Sequence, residues 1–191
     1  MKRVWFKILR FFLGAFGSFQ LHWWPMWFMC GDTHYKVKGP ETRAVLSKLR
    51  RGDILLRRYR NYMTSWFIPG YYTHAAIMVD DETVIHSVTP CVTREDILTF
   101  LRCDDVAVLR PNVTPDEIDK GVAEAIGMLG RDYDYFFEPE NDKLYCSEVI
   151  LHCYPMLFPG LEKVVLPEAI MGLDVELIHE SLKWRKEQCE A

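Results

Sequence analysis

No two cysteines of this chain are separated by only two residues. The six present, Cys30, Cys91, Cys103, Cys146, Cys153 and Cys189, are irregularly spaced along 191 residues, so the paired-thiolate signature of a zinc ribbon is missing. Hydrophobic residues make up 49% of the chain, enough for a core that needs no disulfide framework. Most cysteines are therefore expected to be small buried hydrophobes in a reducing compartment. Basic charge is also scarce: 23 Lys and Arg against 27 Asp and Glu leave a net charge of -4, with a pI near 5.9. No basic stripe stands outside the first ten residues and the Leu49 to Arg60 stretch. This argues against a nucleic-acid partner, whose phosphates need a basic face. Repeats and low-complexity segments are lacking too, and the length suits one domain with or without an appendage.

Long apolar runs are nearly absent. Phe11 to Gly31 carries no charged residue, but His22 and Pro25 interrupt its end, and a spanning helix needs about 20 mostly apolar residues. Lys2, Arg3, Lys7 and Arg10 precede it, and it contains Trp23-Trp24-Pro25-Met26-Trp27-Phe28. Three readings stay open for this part: an extension packed on its own domain, a basic aromatic helix in a membrane interface, and a signal or anchor, against which stands the lack of a small-residue cleavage site. Residues 1–40 are read as an aromatic-rich extension and 41–191 as the domain. Membrane-surface contact, if made, falls to residues 1–30. A cytoplasmic or membrane-associated location is favoured, with the cell envelope kept open.

Within the domain, Glu41 to Leu49 reads as a short helix and Ile54 to Arg58 as a strand after the Arg51-Gly52-Asp53 turn. A short helix is expected over Asn61 to Ile68. Thr73 to Val79 and Thr83 to Val88 read as a hairpin around Asp80-Asp81-Glu82, and Cys91-Val92 extends the sheet. Thr93 to Leu101 reads as a helix with Thr93 as N-cap, followed by a strand over Val106 to Leu109. Thr114-Pro115-Asp116-Glu117 opens a helix running to about Leu129. Leu144 to Tyr154 reads as a helix stopped by Pro155, and Val164 onward as a loop with a short helix near Ser181 to Gln188. Four or five antiparallel strands with surrounding helices make an α+β fold.

The chemistry concentrates at Cys146. The polar stretch before Tyr145 and the apolar run after Glu148 place Cys146 in the first turn of a helix, where free N–H groups and the positive dipole end favour thiolate. Cys153, seven residues on, reads as core. A nucleophile of this kind needs a base, and His74, opening a strand and followed by Ala75 and Ala76, leaves room for a helix start to dock beside it. His86 lies twelve residues later across the hairpin turn. The spacing predicts the two imidazoles roughly opposite one another on one sheet face, where the second orients the first. No third residue pairs with them as a metal ligand, and no cofactor is expected.

The order His74, His86, Cys146 resembles the circularly permuted papain-like cysteine hydrolases of the NlpC-type superfamily, the YiiX/YebB-like group above all. The matching pieces are Arg51-Gly52-Asp53-Ile54-Leu55-Leu56, Tyr72-Thr73-His74-Ala75-Ala76-Ile77, Val84-Ile85-His86, Tyr133-Asp134 and Leu144-Tyr145-Cys146-Ser147-Glu148. The lecithin retinol acyltransferase-like branch shares the spacing of the histidines. The resemblance implies a papain-like sheet with the nucleophile at a helix N-terminus. Cys146 would attack a carbonyl, His74 would move the proton, His86 would orient His74, and the Cys146 N–H would help hold the oxyanion. It also implies Tyr133 as a residue lining the site. Tyr145 and Glu148 join it as candidates for substrate or oxyanion contact, with helix initiation as the alternative role of Glu148.

Three functions compete at this point. The first is hydrolysis of a peptide, γ-linked or isopeptide amide of cell-wall type. The second is lipid acyl transfer or lipolysis at a membrane surface, favoured by the aromatic N-terminus and by Trp66, Phe67 and Tyr72. The third is a non-catalytic binding module. The expected partner is a peptide or lipid-linked substrate, and substrate choice lies in pocket shape rather than in the nucleophile.

Overall fold

The computed structural model describes residues 20–22, 27–29, 35–60, 68–135, 142–160 and 166–190. The helix expected over Asn61 to Ile68 falls largely outside them, as do most of residues 1–30. Two pieces of the N-terminal stretch are described. β1 (Gln20–His22) and β2 (Trp27–Met29) pair antiparallel, so these two pieces are extended rather than helical. Among the described residues no helix is long and apolar enough to cross a membrane.

The domain is built on α1 (Gly39–Leu46), β3 (Ile54–Arg58), β4 (His74–Met78), β5 (Thr83–Val88), β6 (Cys91–Asp96), α2 (Ile97–Phe100), β7 (Asp105–Pro111), α3 (Pro115–Gly127), α4 (Cys146–Cys153), β8 (Val175–Glu180) and α5 (Ser181–Glu190). Six strands form one antiparallel sheet in the order β6-β5-β4-β3-β7-β8. The architecture is α+β, as expected, with more strands than the four or five read from sequence.

Strand β3 shows why both faces must be covered: Ile54, Leu55 and Leu56 are all fully buried. Side chains alternate across a strand, so Ile54 and Leu56 point one way and Leu55 the other. On the first face, Ile54, Leu56, Ala75, Ile77 and Ile85 pack under Val122 and Ala125 of α3 and Val149, Ile150 and Cys153 of α4. On the second, Leu55, Ala76, Met78 and Val84 pack under Val45 of α1 and Ile97 and Phe100 of α2. Each Val, Leu, Ile, Met or Phe among them contributes about 1.5–3 kcal/mol on burial.

Three local readings need correction or completion. Thr93 to Asp96 is not helix: it continues β6, which pairs with β5 through Thr83↔Asp96. The N-cap of α2 is Asp96, whose carboxylate accepts from the N–H of Leu98 at 2.8 Å and of Thr99 at 3.3 Å. Strand β8, read as loop, pairs along β7 as an edge strand with a bulge at Val108/Leu109. The helix after Thr114 forms as read, with a capping box in which Thr114 and Glu117 satisfy each other's backbone N–H.

Two glycines set how closely elements approach. Gly52 has φ +90°, and a Cβ there would lie 2.6 Å from Ile118. The turn it makes is held by Asp53, which accepts from Arg110 Nε at 2.9 Å and Nη2 at 2.8 Å and from the Arg50 N–H at 2.8 Å. The Arg51-Gly52-Asp53 piece is thus scaffold. Gly121 of α3 faces α4, where a Cβ would meet the Cys153 carbonyl oxygen at 2.8 Å. The two helices pack backbone to backbone at that point, which fixes the height of α4 over the sheet. Elsewhere, the buried Glu41 of α1 accepts from Ser181 at 2.5 Å and from Arg185 at 3.2 Å, tying the C-terminal helix to the domain.

Candidate active site

Strand β4 delivers His74, and its hydrogen-bond alternation explains what happens beside it. The Met78 N–H donates to Asp53 O at 2.9 Å on the β3 side, and the Val79 N–H to Thr83 O at 2.9 Å on the β5 side. By alternation the Ala75 N–H also points toward β5. Yet β4 and β5 pair only at Ile77↔Ile85 and Met78↔Val84, while β5 and β6 pair at six positions. The sheet therefore parts between β4 and β5 at the His74 end. The Ala75 N–H, left without a strand partner, turns to the thiol of Cys146, which also faces the N–H groups of Cys146 itself and Ser147. Cys146 is the first residue of α4, so these are the unsatisfied donors of a helix start. A thiol arriving from one face of the sheet thus stands against the backbone that carries an imidazole rooted on the other.

That imidazole has a partner. His74 Nε2 lies 2.8 Å from His86 Nδ1, and both rings lean on Phe100, at 6.1 and 5.8 Å between centroids. The pair forms as the spacing predicts, with one refinement. Carried one pair further, the β4–β5 register sets His86 against Ala76, so His74 is its diagonal neighbour, within reach for long side chains.

Charge at the site departs from the sequence expectation. The helix start does favour thiolate, but burial is the larger effect and pushes the Cys146 thiol up to about 11, with the N–H groups and Arg57 pulling the other way. Burial, then the Arg57 guanidinium, then His86, hold His74 well below the usual histidine range. Burial and Arg57 lower His86 to about 3. The resting state is a neutral thiol near a neutral imidazole pair. The thiol's contacts are with backbone N–H groups, and catalytic hydrogen bonds in a free enzyme commonly tighten only when substrate binds.

Two residues not singled out from sequence complete the cluster. Arg57, opposite His74 in the β3–β4 register, donates from Nη1 to Glu95 Oε2 at 2.9 Å and lies 4.2 Å over the Phe100 ring. The same Glu95 oxygen stands 3.8 Å from His86 Nε2. Arg57, His74, His86 and Glu95 come from four neighbouring strands. A strand reading of Thr93 to Asp96 brings Glu95 onto the His86 face by alternation; the helical reading hid it.

The other candidates sit around α4. Tyr133 bridges to Leu144 and lies close enough for the Cys146 charge to act on its hydroxyl, which burial keeps protonated. Tyr145 is 2% exposed and occupies the N-cap position, an anchor for the helix rather than an open binding surface. Glu148 accepts from the Tyr145 N–H at 3.1 Å, so it closes the helix start. Burial, with Asp134 adding, raises its carboxyl to about 7. Cys153 is core as read, and Cys91, Cys103, Cys146 and Cys153 are free thiols.

The model of a family described as permuted papain-like amidase, YaeF/YiiX, C92 family, matches residues 48–166. The chain belongs to this C92 family. The match spans the turn at Gly52, both histidine strands and the cysteine helix. No curated protein matches the chain. Among solved structures it is similar to metalloprotein yiiX from Escherichia coli O157:H7, at 18% identity and a TM-score of 0.60, covering 70% of this chain and 98% of that one. This likeness establishes a YiiX-type α+β fold. The word metalloprotein belongs to that protein. Here the facing nitrogens of His74 and His86 are at hydrogen-bond distance from each other, and among the described residues no three His, Cys, Asp or Glu side chains gather as a metal needs. This residue set does not fit a metal ion.

Proposed function

We propose that this C92-family hydrolase cleaves an amide bond through a thioester formed on Cys146. The observation that carries the reading is the imidazole pair, His74 Nε2 to His86 Nδ1 at 2.8 Å, set where the sheet parts around the helix-start thiol. With Nε2 engaged by His86, the ring nitrogen of His74 left for proton transfer is Nδ1.

The steps follow from a neutral pair. His74 takes the proton of the Cys146 thiol as the sulfur attacks the carbonyl carbon, so charge separation is created only when substrate is present. The N–H of Cys146 faces the developing oxyanion, and removing one such donor typically costs on the order of a hundredfold to a thousandfold in rate. The imidazolium of His74 then protonates the departing amine, and the carbon–nitrogen bond breaks to leave a thioester. Water, losing a proton to His74, attacks the thioester, and the thiol leaves with that proton. His86 keeps the ring of His74 in place throughout. Tyr133, its hydroxyl held protonated, lines the acyl side.

The test is acyl-enzyme trapping on the full chain. Mixing with an activated peptide ester or p-nitroanilide and quenching in acid is expected to leave the acyl group on the Cys146 peptide in wild type, and on no cysteine in Cys146→Ala. His74→Ala is expected to lose acylation, while Cys153→Ala retains it. A Cys146→Ala protein that still hydrolyses the substrate at the wild-type rate would sink the proposal. Running N-acyl peptide and fatty-acyl amide substrates side by side assigns the substrate class.

A further inference from the structure

We propose that Glu95, held by Arg57, is a positioning residue that sets the tautomers of both histidines and so places the lone pair of the base on His74 Nδ1. This rests on the catalytic reading of His74 above and deepens it.

A contact of 2.8 Å between His74 Nε2 and His86 Nδ1 requires one N–H and one lone pair. Two arrangements of a neutral pair satisfy it. In the first, His74 donates from Nε2, so its Nδ1 carries a lone pair, and His86 bears its proton on Nε2. In the second, His86 donates from Nδ1, so the Nε2 of His74 is the acceptor and its Nδ1 is protonated. His86 then turns a lone pair outward from Nε2. Only the first gives His74 a base nitrogen that is free.

The imidazole pair by itself does not choose between them. The group on the far side of His86 does. Glu95 Oε2 lies 3.8 Å from His86 Nε2, too long for a hydrogen bond but close for a charge. A carboxylate attracts an N–H at that nitrogen and repels a lone pair. His86 is 2% exposed in its side chain and Glu95 24%, so water screens the interaction only from the Glu95 side. The preference then passes along the pair: a proton on His86 Nε2 empties Nδ1, and an empty Nδ1 demands the proton of His74 Nε2.

Glu95 is itself fixed. Its Oε2 receives Arg57 Nη1 at 2.9 Å, and Arg57 is pinned between the Phe100 ring, 4.2 Å from its guanidinium, and the Tyr59 ring at 5.1 Å. Arg57 Nη1 also reaches Phe100 O at 3.4 Å. A single carboxylate oxygen therefore answers to the guanidinium on one side and to the imidazole on the other. Arg57 keeps the Glu95 carboxylate aimed, and its charge disfavours a stray proton on the histidine pair.

The experiment is long-range nitrogen–proton correlation NMR on the full chain labelled with ¹⁵N-histidine at neutral pH, in wild type and Glu95→Gln, with amidase kinetics alongside. Gln keeps the shape and removes the charge. Wild type is expected to show Nε2–H and bare Nδ1 at both His74 and His86. Glu95→Gln is expected to show a second tautomer at both rings together, with kcat lowered about tenfold and KM unchanged. Arg57→Met, which frees the carboxylate, is expected to show the same mixture. A wild-type His74 protonated on Nδ1 overturns the proposal without any variant, and so do unchanged tautomers in Glu95→Gln. Neither result depends on Cys146, whose failure as nucleophile is read separately in the acylation test.

Discussion

Acid should unfold this protein through its histidine pair, and His86 allows the size to be worked out. It is 1% exposed and held neutral down to about 3 by burial and by Arg57, against about 6.5 in an unfolded chain. Between those values the unfolded state binds a proton that the folded state refuses, so stability is complete above the unfolded value and is lost as pH falls toward the folded one. Linkage puts the loss from this one group at about 2 kcal/mol at pH 5 and about 3 kcal/mol at pH 4. That is a large share of a domain stability of roughly 5–15 kcal/mol. His74, lowered by the same burial, adds in the same direction. Urea unfolding of wild type and His86→Gln across pH 4 to 7.5, each read as free energy against pH, tests this. The variant is expected to have the shallower slope between pH 6.5 and 4, whatever its stability at neutral pH. Parallel curves over that window would refute the reasoning, because they would mean that His86 takes up its proton equally easily in both states.

Three further outcomes follow from the same geometry. Iodoacetamide should modify Cys146 ever faster from pH 7 to 10, since burial holds the thiol up to about 11; a rate plateau reached below pH 8, read by mass spectrometry, would contradict a neutral resting thiol. Gly121→Ala sets a methyl 2.8 Å from the Cys153 carbonyl oxygen and 2.7 Å from the Tyr154 ring. It is expected to cost about 1–3 kcal/mol in urea unfolding, and to lower acylation because α4 must lift from the sheet. Glu41→Ala removes the carboxylate shared by Ser181 and Arg185. The expected loss is toward the lower end of about 3–5 kcal/mol, because Arg185 keeps Asp105 at 2.8 Å; an unchanged melting temperature would show that α5 is docked by other contacts.

The amino-acid sequence by itself determined the features that depend on a few adjacent residues. Thr114 through Glu117 specify a helix start because the cap and its reciprocal partner are three residues apart. Cys146 falls at a helix N-terminus because a polar stretch gives way there to an apolar run. His74 and His86 share a face because a tight hairpin turn leaves alternation no other choice. Thr93 to Asp96 shows where local chemistry runs out. Both Thr93 and Asp96 are good caps, and only pairing along β5 decided that the strand continues to Asp96. With that choice went Glu95, and with Glu95 the role of Arg57, since their contact joins β3 to β6 across two intervening strands. The edge strand β8 was likewise set by the open side of β7 rather than by its own pattern, which leaves Leu177 exposed. The protonation of the site belongs wholly to the tertiary structure. A helix start favours thiolate wherever it occurs, but whether the thiol is ionised depends on how much water remains around it, and that is decided by how α4 seats in the gap where β4 and β5 part.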